Sequence, residues 1–377
     1  MHEPSLTPTI PNRIGQSGQL VFAWGFCTRW HGLPHRGERR RLRSPRKRIR
    51  RRGVRSQFWR PRRTLDPISI SLPSSEVAAG KCYCRGVRIH LVDGTYELYR
   101  AHYAPRPEHR EPSGTDAKAT VGIVESLLAL LHDPQEAVTH IAVAFDNPIH
   151  SFRNVLFPSY KSDEGVPPEL RAQFDAAERA VRSIGVTVWS MRDCEADDGL
   201  ASGARRFRDQ VEQVRILTPD KDLGQCLWGD RVVQVDRRQK KVTNESAFRA
   251  ERGFGPHSMP DFLALTGDSA DGFPGLPGFG KKSAALLLGV YERLEQIPAN
   301  PFQWKVKLRG ALQLAATLVE RRDDAFLYRK LATLVDTVPL EGSLEDLKFL
   351  GVPRARFERW CNELGVLRLK KAPRQWR

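Results

Sequence analysis

Nine acidic residues fall at or near the ends of apolar runs and in short acidic turns. Asp93, Asp146 and Asp220 each lie at or just past the carboxyl end of a short apolar run, over 87–93, 139–146 and 214–218. Glu195, Asp197 and Asp198, in the sequence EADD, follow another such run and open a helical stretch. Asp222 follows Asp220 in DKD, and Asp268 and Asp271 in GDSAD have the i, i+3 spacing that can put both on one side. A single aspartate at a strand end is ordinarily a turn or N-cap residue. Asp197 and Asp198 alone would be ordinary charges for a first helical turn. Acids delivered by five separate segments to one edge are harder to obtain from capping needs. Brought together, they would repel one another and lose hydration unless a cation lay between them. Hard divalent cations take oxygen ligands. Nine carboxylates exceed the needs of one Mg²⁺ that keeps several waters. They suit two ions roughly 4 Å apart plus an outer shell, an arrangement that serves in-line displacement at phosphorus. Water would then be the nucleophile: among the ten histidines the one H-x₃-H spacing, His31 with His35, lies in the leader, and no triad-like cluster suggests another.

Delivering those acids to one edge requires parallel strands. Apolar periodicity predicts strands over 87–93, 139–146, 186–189 and 214–218, with an edge strand over 232–236. The same reasoning predicts helices over 117–131, 169–184 and 196–208. This alternation predicts an α/β fold with a parallel, doubly wound sheet. In such sheets the strand carboxyl ends share one ligand-binding crevice. After about residue 255 the chain reads as mainly helical, with a Gly/Pro-rich turn at 272–280. There Gly275, Gly278 and Gly280 lead into Lys281, Lys282 and Ser283. Two readings of that turn stay open. It is an anion cradle whose backbone N–H groups and helix N-terminus meet a phosphate, or an ordinary connection between helices.

With 377 residues and 40% hydrophobic content, the chain can hold one large domain or two modest ones. No run of 18 or more apolar residues is present, which excludes a spanning helix. Six cysteines without C-x₂-C pairing argue against a zinc ribbon or a disulfide framework and fit a reducing, cytoplasmic setting. The net charge of +17 is unevenly placed: residues 1–86 hold 19 Lys or Arg against 4 Asp or Glu, and residues 87–377 hold 42 against 40. The arginine-rich stretch 1–86 has no sustained period and reads as an unfolded basic leader. It is a nucleic-acid arm, an organelle transit peptide, or sequence translated from upstream of a true start near Val87. The near-neutral body can still bind DNA if cations cancel the acidic pit and basic residues flank it. Arg205, Arg206, Arg208, Lys305, Lys307 and Arg309 are candidate flanks, although such runs are ordinarily solvated helix faces.

The segments VDGTYELYRAHYA, AFDNPIHSFRNVLFPSYKS, CEADDGLA, ILTPDKDLGQ and LTGDSADGFPGLPGFGKKSA resemble, in order and spacing, the 5′-nuclease domain of bacterial DNA polymerase I and the related stand-alone flap endonucleases. The resemblance spans 87–377. It implies a PIN-like nuclease core over 87–254 and a helical region over 255–377 with a helix–three-turn–helix DNA-binding motif. It places Asp93, Asp146, Glu195, Asp197 and Asp198 at a first metal site, and Asp220, Asp222, Asp268 and Asp271 at a second, with Mg²⁺ or Mn²⁺ as the ions. Arg153 and Lys161 are implied to hold or polarise the scissile phosphate at the base of a helical arch. Tyr160, with Tyr99 or Tyr103, is implied to stack on terminal bases. Gly275, Gly278, Gly280, Lys281, Lys282 and Ser283 fall on the motif that grips duplex DNA, often around a bound K⁺; Ser283 stands where threonine is common. One departure concerns Glu164, beside Asp163, at a position three after Lys161 where the family usually has a basic residue.

The expectation is a structure-specific 5′→3′ exonuclease or 5′-flap endonuclease that hydrolyses DNA phosphodiesters and releases 5′-phosphorylated products. It would be a monomer acting in replication and repair on DNA with 5′ ends or flaps, beside a DNA polymerase in trans. Two alternatives remain. A non-catalytic binder of branched DNA predicts an eroded acid set, and an RNase on the same scaffold predicts no duplex grip.

Overall fold

The structure, a computed structural model, describes residues 84–147, 149–161 and 165–377. The leader expected over 1–86 lies outside the described residues except for its last three, and so do Asp163 and Glu164. Six strands form one sheet: β1 (Cys84–Asp93), β2 (His140–Asp146), β3 (Thr187–Met191), β4 (Val211–Leu217), β5 (Val232–Asp236) and β6 (Lys241–Thr243). Their order is β3-β2-β1-β4-β5-β6. Every neighbouring pair is parallel except β5 with β6. The helices are α1 (Gly94–Tyr103), α2 (Lys118–Leu131), α3 (Phe152–Leu156), α4 (Pro168–Arg171), α5 (Phe174–Ser183), α6 (Ala196–Phe207), α7 (Glu245–Arg252), α8 (Met259–Thr266), α9 (Lys281–Tyr291), α10 (Ala311–Glu320), α11 (Arg322–Ala332) and α12 (Arg354–Glu363). The sheet is therefore doubly wound and mostly parallel, with a helical region following it.

The central strands are apolar because both of their faces are covered. All seven residues of β2 are buried. Along β1, Ile89 and Leu91 point into a cluster with Leu200, Ala204 and Phe207 of α6. Val92 joins the opposite cluster with Leu98, Val124, Leu127, Phe174 and Val181 of α1, α2 and α5. Burying one such side chain contributes roughly 1.5–3 kcal/mol, and truncating one to alanine costs about 2–5 kcal/mol. The helical region has its own core, in which Leu263, Leu287, Leu288, Leu318 and Tyr328 pack together. The chain runs from β1 outward through β2 and β3, then crosses back to β4 on the other side of β1. Strand direction reverses its progress there, between β1 and β4, and the carboxyl-end crevice opens at that point.

Three differences from the sequence expectation have visible causes. β1 begins three residues early, at Cys84, because the register with β4 shifts between Cys84 and Arg88. Gly86 takes a φ of +78° in that irregularity, so the pattern there reads as a turn. The single helix expected over 169–184 is broken into α4 and α5. The break sits at Gln173, whose side-chain oxygen accepts from the Thr120 N–H (3.0 Å) and whose amide donates to the Glu169 carbonyl (3.0 Å). β6 carries no buried apolar residue and gave no periodic signal.

Candidate functional site

Pairing of β1 with β4 runs up to Val92 opposite Leu217, so Asp93 and Thr218 emerge together at the carboxyl edge. Asp93 caps α1, accepting from the Tyr96 N–H at 2.8 Å and from the Thr218 hydroxyl at 3.0 Å. Asp146, at the end of β2, accepts from the Ala196 N–H at 2.6 Å and so meets the N-terminus of α6. Both acids thus do the capping job open to any strand-end aspartate. Their electrostatics go further. Burial, reinforced by Asp146 and Asp220, pushes Asp93 up to about 7. Burial also raises Asp146, and burial together with Asp220 and Asp93 holds Asp197 well above the usual carboxylate range. Four acids from β1, β2, α6 and the end of β4 therefore share one field.

Glu195 and Asp198, although they flank Asp197, have different surroundings. The Glu195 carboxylate accepts from the Ser151 hydroxyl at 2.8 Å and from Lys161 Nζ at 3.0 Å, with Arg153 at 3.3 Å. Burial pushes its carboxyl up, but Lys161 and Arg153 outweigh that and hold it at about 2. Asp198 is fully buried and receives both guanidinium nitrogens of Arg153 at 2.7 Å, the Glu195 N–H at 2.9 Å and the Val335 N–H at 2.8 Å. Its oxygens are used up. Asp198, expected among the metal ligands, lies here in an internal brace with Arg153. Arg153, 1% exposed, donates its remaining hydrogen bonds to the Leu331 and Thr333 carbonyls at 2.7 and 3.0 Å and has no face for a phosphate.

The second acid group assembles beside the first. Asp220 opens the 3₁₀ turn Lys221–Cys226, accepting from the Asp222 N–H at 2.9 Å. The loop 268–273 closes through reciprocal backbone bonds between Asp268 and Phe273. One oxygen each from Asp222, Asp268 and Asp271 lies within 4.8 Å of the others. Lys221 ion-pairs with Asp268 and stands 3.4 Å from Asp222. Even so, Asp222 Oδ1 is buried with no hydrogen-bond partner. Burial and the Asp220 charge hold Asp222 well above its ordinary range. Burial, with Glu195, Asp268 and Asp220, lifts Asp271 to about 7 against the opposing pull of Lys161. A set of hard oxygen donors, in which the buried Asp222 Oδ1 has no hydrogen bond and only the Lys221 ammonium at 3.4 Å, with excess negative charge, fits a divalent cation. Asp222, Asp268 and Asp271 could hold one, and Asp93, Asp146, Asp197 and Asp220 form the adjoining set.

Two family models account for most of the described chain: a 5′-3′ exonuclease N-terminal resolvase-like domain over residues 88–253, and a 5′-3′ exonuclease C-terminal SAM fold over residues 254–355. The chain belongs to the 5′-3′ exonuclease family. DNA polymerase I of Pseudomonas aeruginosa is 33% identical over 293 residues, covering 73% of this chain and 31% of that protein. The enzyme of the same description from Bacillus caldotenax is 31% identical over 284 residues, covering 74% of this chain and 31% of that protein. The chain thus spans about a third of the length of these relatives. A solved structure of a T5 protein co-crystallised with metal ions shares the fold, with a TM-score of 0.52 at 14% identity over 74% of this chain and 99% of that chain. A T5 flap endonuclease in a pseudo-enzyme–product complex with DNA and metal ions gives a TM-score of 0.50 at 16% identity over 66% of this chain and 89% of that chain.

Within this exonuclease fold, the residues expected to contact DNA differ in exposure. Tyr160 is 4% exposed and packs in the helical core, so it presents no ring to a base. Tyr99 is buried as well, its ring set edge-on to Phe174, whereas Tyr103 is exposed. Gly275 is buried, and a Cβ there would lie 2.2 Å from the Gly267 nitrogen; it lets two backbone stretches touch. The Leu276 and Phe279 N–H groups bond to the Leu265 and Leu276 carbonyls, and the Ser283 hydroxyl accepts from the Gly280 N–H at 3.0 Å. These groups hold the turn's shape instead of facing outward. Gly278, Gly280, Lys281 and Lys282 are exposed. Among the described residues, no helix is long and apolar enough to cross a membrane.

Ser151, Thr218 and Lys221 were missed as site residues. Each had a local signal. Ser151 opens a capping box with Asn154, Thr218 bonds the Asp220 N–H at 3.2 Å, and Lys221 is the only base between two acids in DKD.

Proposed function

We propose that this chain is a structure-specific 5′→3′ nuclease that hydrolyses DNA phosphodiesters with two divalent cations, Mg²⁺ with Mn²⁺ as substitute. The observation that carries this reading is the convergence of acids from β1, β2, α6, the end of β4 and the 268–273 loop into one electrostatically coupled group. Cations held there would supply the positive charge needed to activate an attacking water and stabilise the leaving oxygen. The chain's own residues do the rest. Asp93 and Asp146 are fixed by helix N-termini, and Asp222, Asp268 and Asp271 by two tight turns, so their oxygens need little reorganisation. Lys161 is paired with Glu195 and lies in the fields of Asp146 and Asp271. It is the cation best placed to attract the scissile phosphate, and its N–H bond to the Asp271 carbonyl (3.1 Å) joins its segment to the acid loop. Lys281 and Lys282, exposed at the start of α9, suit sequence-independent contacts with a duplex backbone, with K⁺ as a further ligand of that turn. We assign it to DNA with 5′ ends or flaps, acting as a monomer in the cytoplasm beside a polymerase in trans, in a core of 87–254 and a helical part of 255–377.

Cleavage of a 5′-labelled flap duplex tests the reading. Asp146→Ala and Asp197→Ala should each abolish cutting in Mg²⁺ while leaving binding in Ca²⁺ largely intact. Persistent cleavage by both variants would refute it.

A further inference from the structure

We propose that the groove between α5 and α12 binds a single nucleic-acid strand, a function that rests on the nuclease reading above. Charge distribution is the first observation. Residues 354–377 hold 8 Lys or Arg against 2 Glu, whereas residues 87–353 hold 34 against 38. The near-neutral body is thus a slightly acidic stretch followed by a basic segment, most of it beyond the residues that the family models match.

That segment is built into the fold. Phe357, Trp360, Leu364 and Leu369 are buried against the α2 and α5 side of the core. Backbone bonds fasten the final residues: Val352 N–H to Gln375 (2.9 Å), Arg377 N–H to Val352 (3.0 Å) and Arg354 N–H to Arg377 (3.1 Å). The Arg356 guanidinium donates to the Arg182 carbonyl at 3.2 Å, joining the two helices. Arg179, Arg356 and Arg359, all exposed, line a groove of about 430 Å³ with Trp360, Glu111 and Glu363. Among the described residues, none of these three arginines makes an ion pair.

The occupant follows from shape and position. A groove of about 430 Å³ is too small to hold a duplex, and its exposed guanidinium groups can meet the phosphates of one strand and stack on its bases. A duplex would ride over it. The N-terminal end of α5 is tied to the catalytic edge, since Asn147 next to Asp146 donates to Asp175 at 2.7 Å. The ten residues of α5 span about 15 Å at 1.5 Å per residue, so the groove begins within one short helix of the acids.

The test compares the full-length wild type with the triple variant Arg179→Ala, Arg356→Ala, Arg359→Ala, titrating a fluorescent oligothymidylate in Ca²⁺ over a salt series. At roughly 0.7 per neutralised phosphate, the slope of log K against log salt should become shallower by about 2. Binding of a blunt duplex and the thermal midpoint should stay as in the wild type, and the triple Arg→Lys variant should keep most of the slope. Should the triple variant misfold, Arg359→Gln alone should lower the slope by about 0.7. An unchanged slope overturns the proposal, and so does an equal loss on the blunt duplex. If the wild type cuts flaps yet the triple variant holds the oligonucleotide normally, only this inference falls. If the wild type binds no DNA, the nuclease reading falls with it.

Discussion

Replacing Arg153 with methionine should damage the fold before it damages any substrate contact. Arg153 is 1% exposed and donates to Asp198 twice at 2.7 Å, to Leu331 at 2.7 Å and to Thr333 at 3.0 Å. Removing one member of a buried pair costs about 3–5 kcal/mol, because the other charge stays buried without compensation. The two orphaned carbonyls add to this, at roughly 1–3 kcal/mol for each buried acceptor left unsatisfied, less than additively. A loss of about 4–6 kcal/mol is therefore expected. At roughly 2–4 °C per kcal/mol for a domain this large, the thermal midpoint should fall by about 10 °C or more. Urea unfolding followed by tryptophan fluorescence in the presence of EDTA reads the change. The double variant Arg153→Met, Asp198→Leu should recover a good part of it, with a coupling of at least about 2 kcal/mol. A single variant within about 0.5 kcal/mol of wild type that nevertheless stops cutting DNA would refute the reasoning and return Arg153 to the phosphate.

Three further outcomes follow from the same geometry. Mg²⁺ at about 100 times its dissociation constant should stabilise the protein by roughly 2.7 kcal/mol. Asp222→Asn should shrink that gain in a melting assay, and an unchanged gain would remove Asp222 from the ion's ligands. Acid should weaken the fold through Glu136, which the hydrogen bond from His90 and those from Arg215 hold at about 2. A depressed carboxyl contributes stability above its unfolded value near 4.5 and loses it toward 2, while His90, lowered by burial, adds a loss as pH drops below 6.5. Glu136→Gln should therefore flatten the acid limb of the stability curve by on the order of 1–2 kcal/mol after solvent screening. Gly275→Ala should cost at least about 1–3 kcal/mol, since its φ is +72° and a Cβ would meet the Gly267 nitrogen. Gly280→Ala, with open space around it, should cost far less in the same urea titration.

The sheet was legible because parallel strands buried on both faces write themselves as unbroken apolar runs, as in β1 and β2. Asp93, Asp146 and Asp220 were legible for the same reason: each sits at or just past the place where a run stops. What the sequence hid depends on partners far along the chain. Nothing near Arg153 announces that Asp198 and the carbonyls of Leu331 and Thr333 will consume its donors, so a base beside Lys161 looked like a phosphate contact. Gln173 likewise breaks a helix only because Thr120 supplies a donor from α2. Tyr160 looked like a stacking surface until the helical core closed over it. The glycine turn could be located but not resolved. Whether its N–H groups face outward is decided by bonds to Leu265 and to the Ser283 hydroxyl.

The brace at Asp198 has a consequence for timing. Arg153 is secured by the carbonyls of Leu331 and Thr333, and Asp198 itself by the Val335 N–H. A ribosome must therefore pass more than a hundred codons beyond Asp198 before these ties can form. A partly synthesised chain already carries every acid up to Asp271, but the scaffold that fixes Glu195 and Asp198 is unfinished.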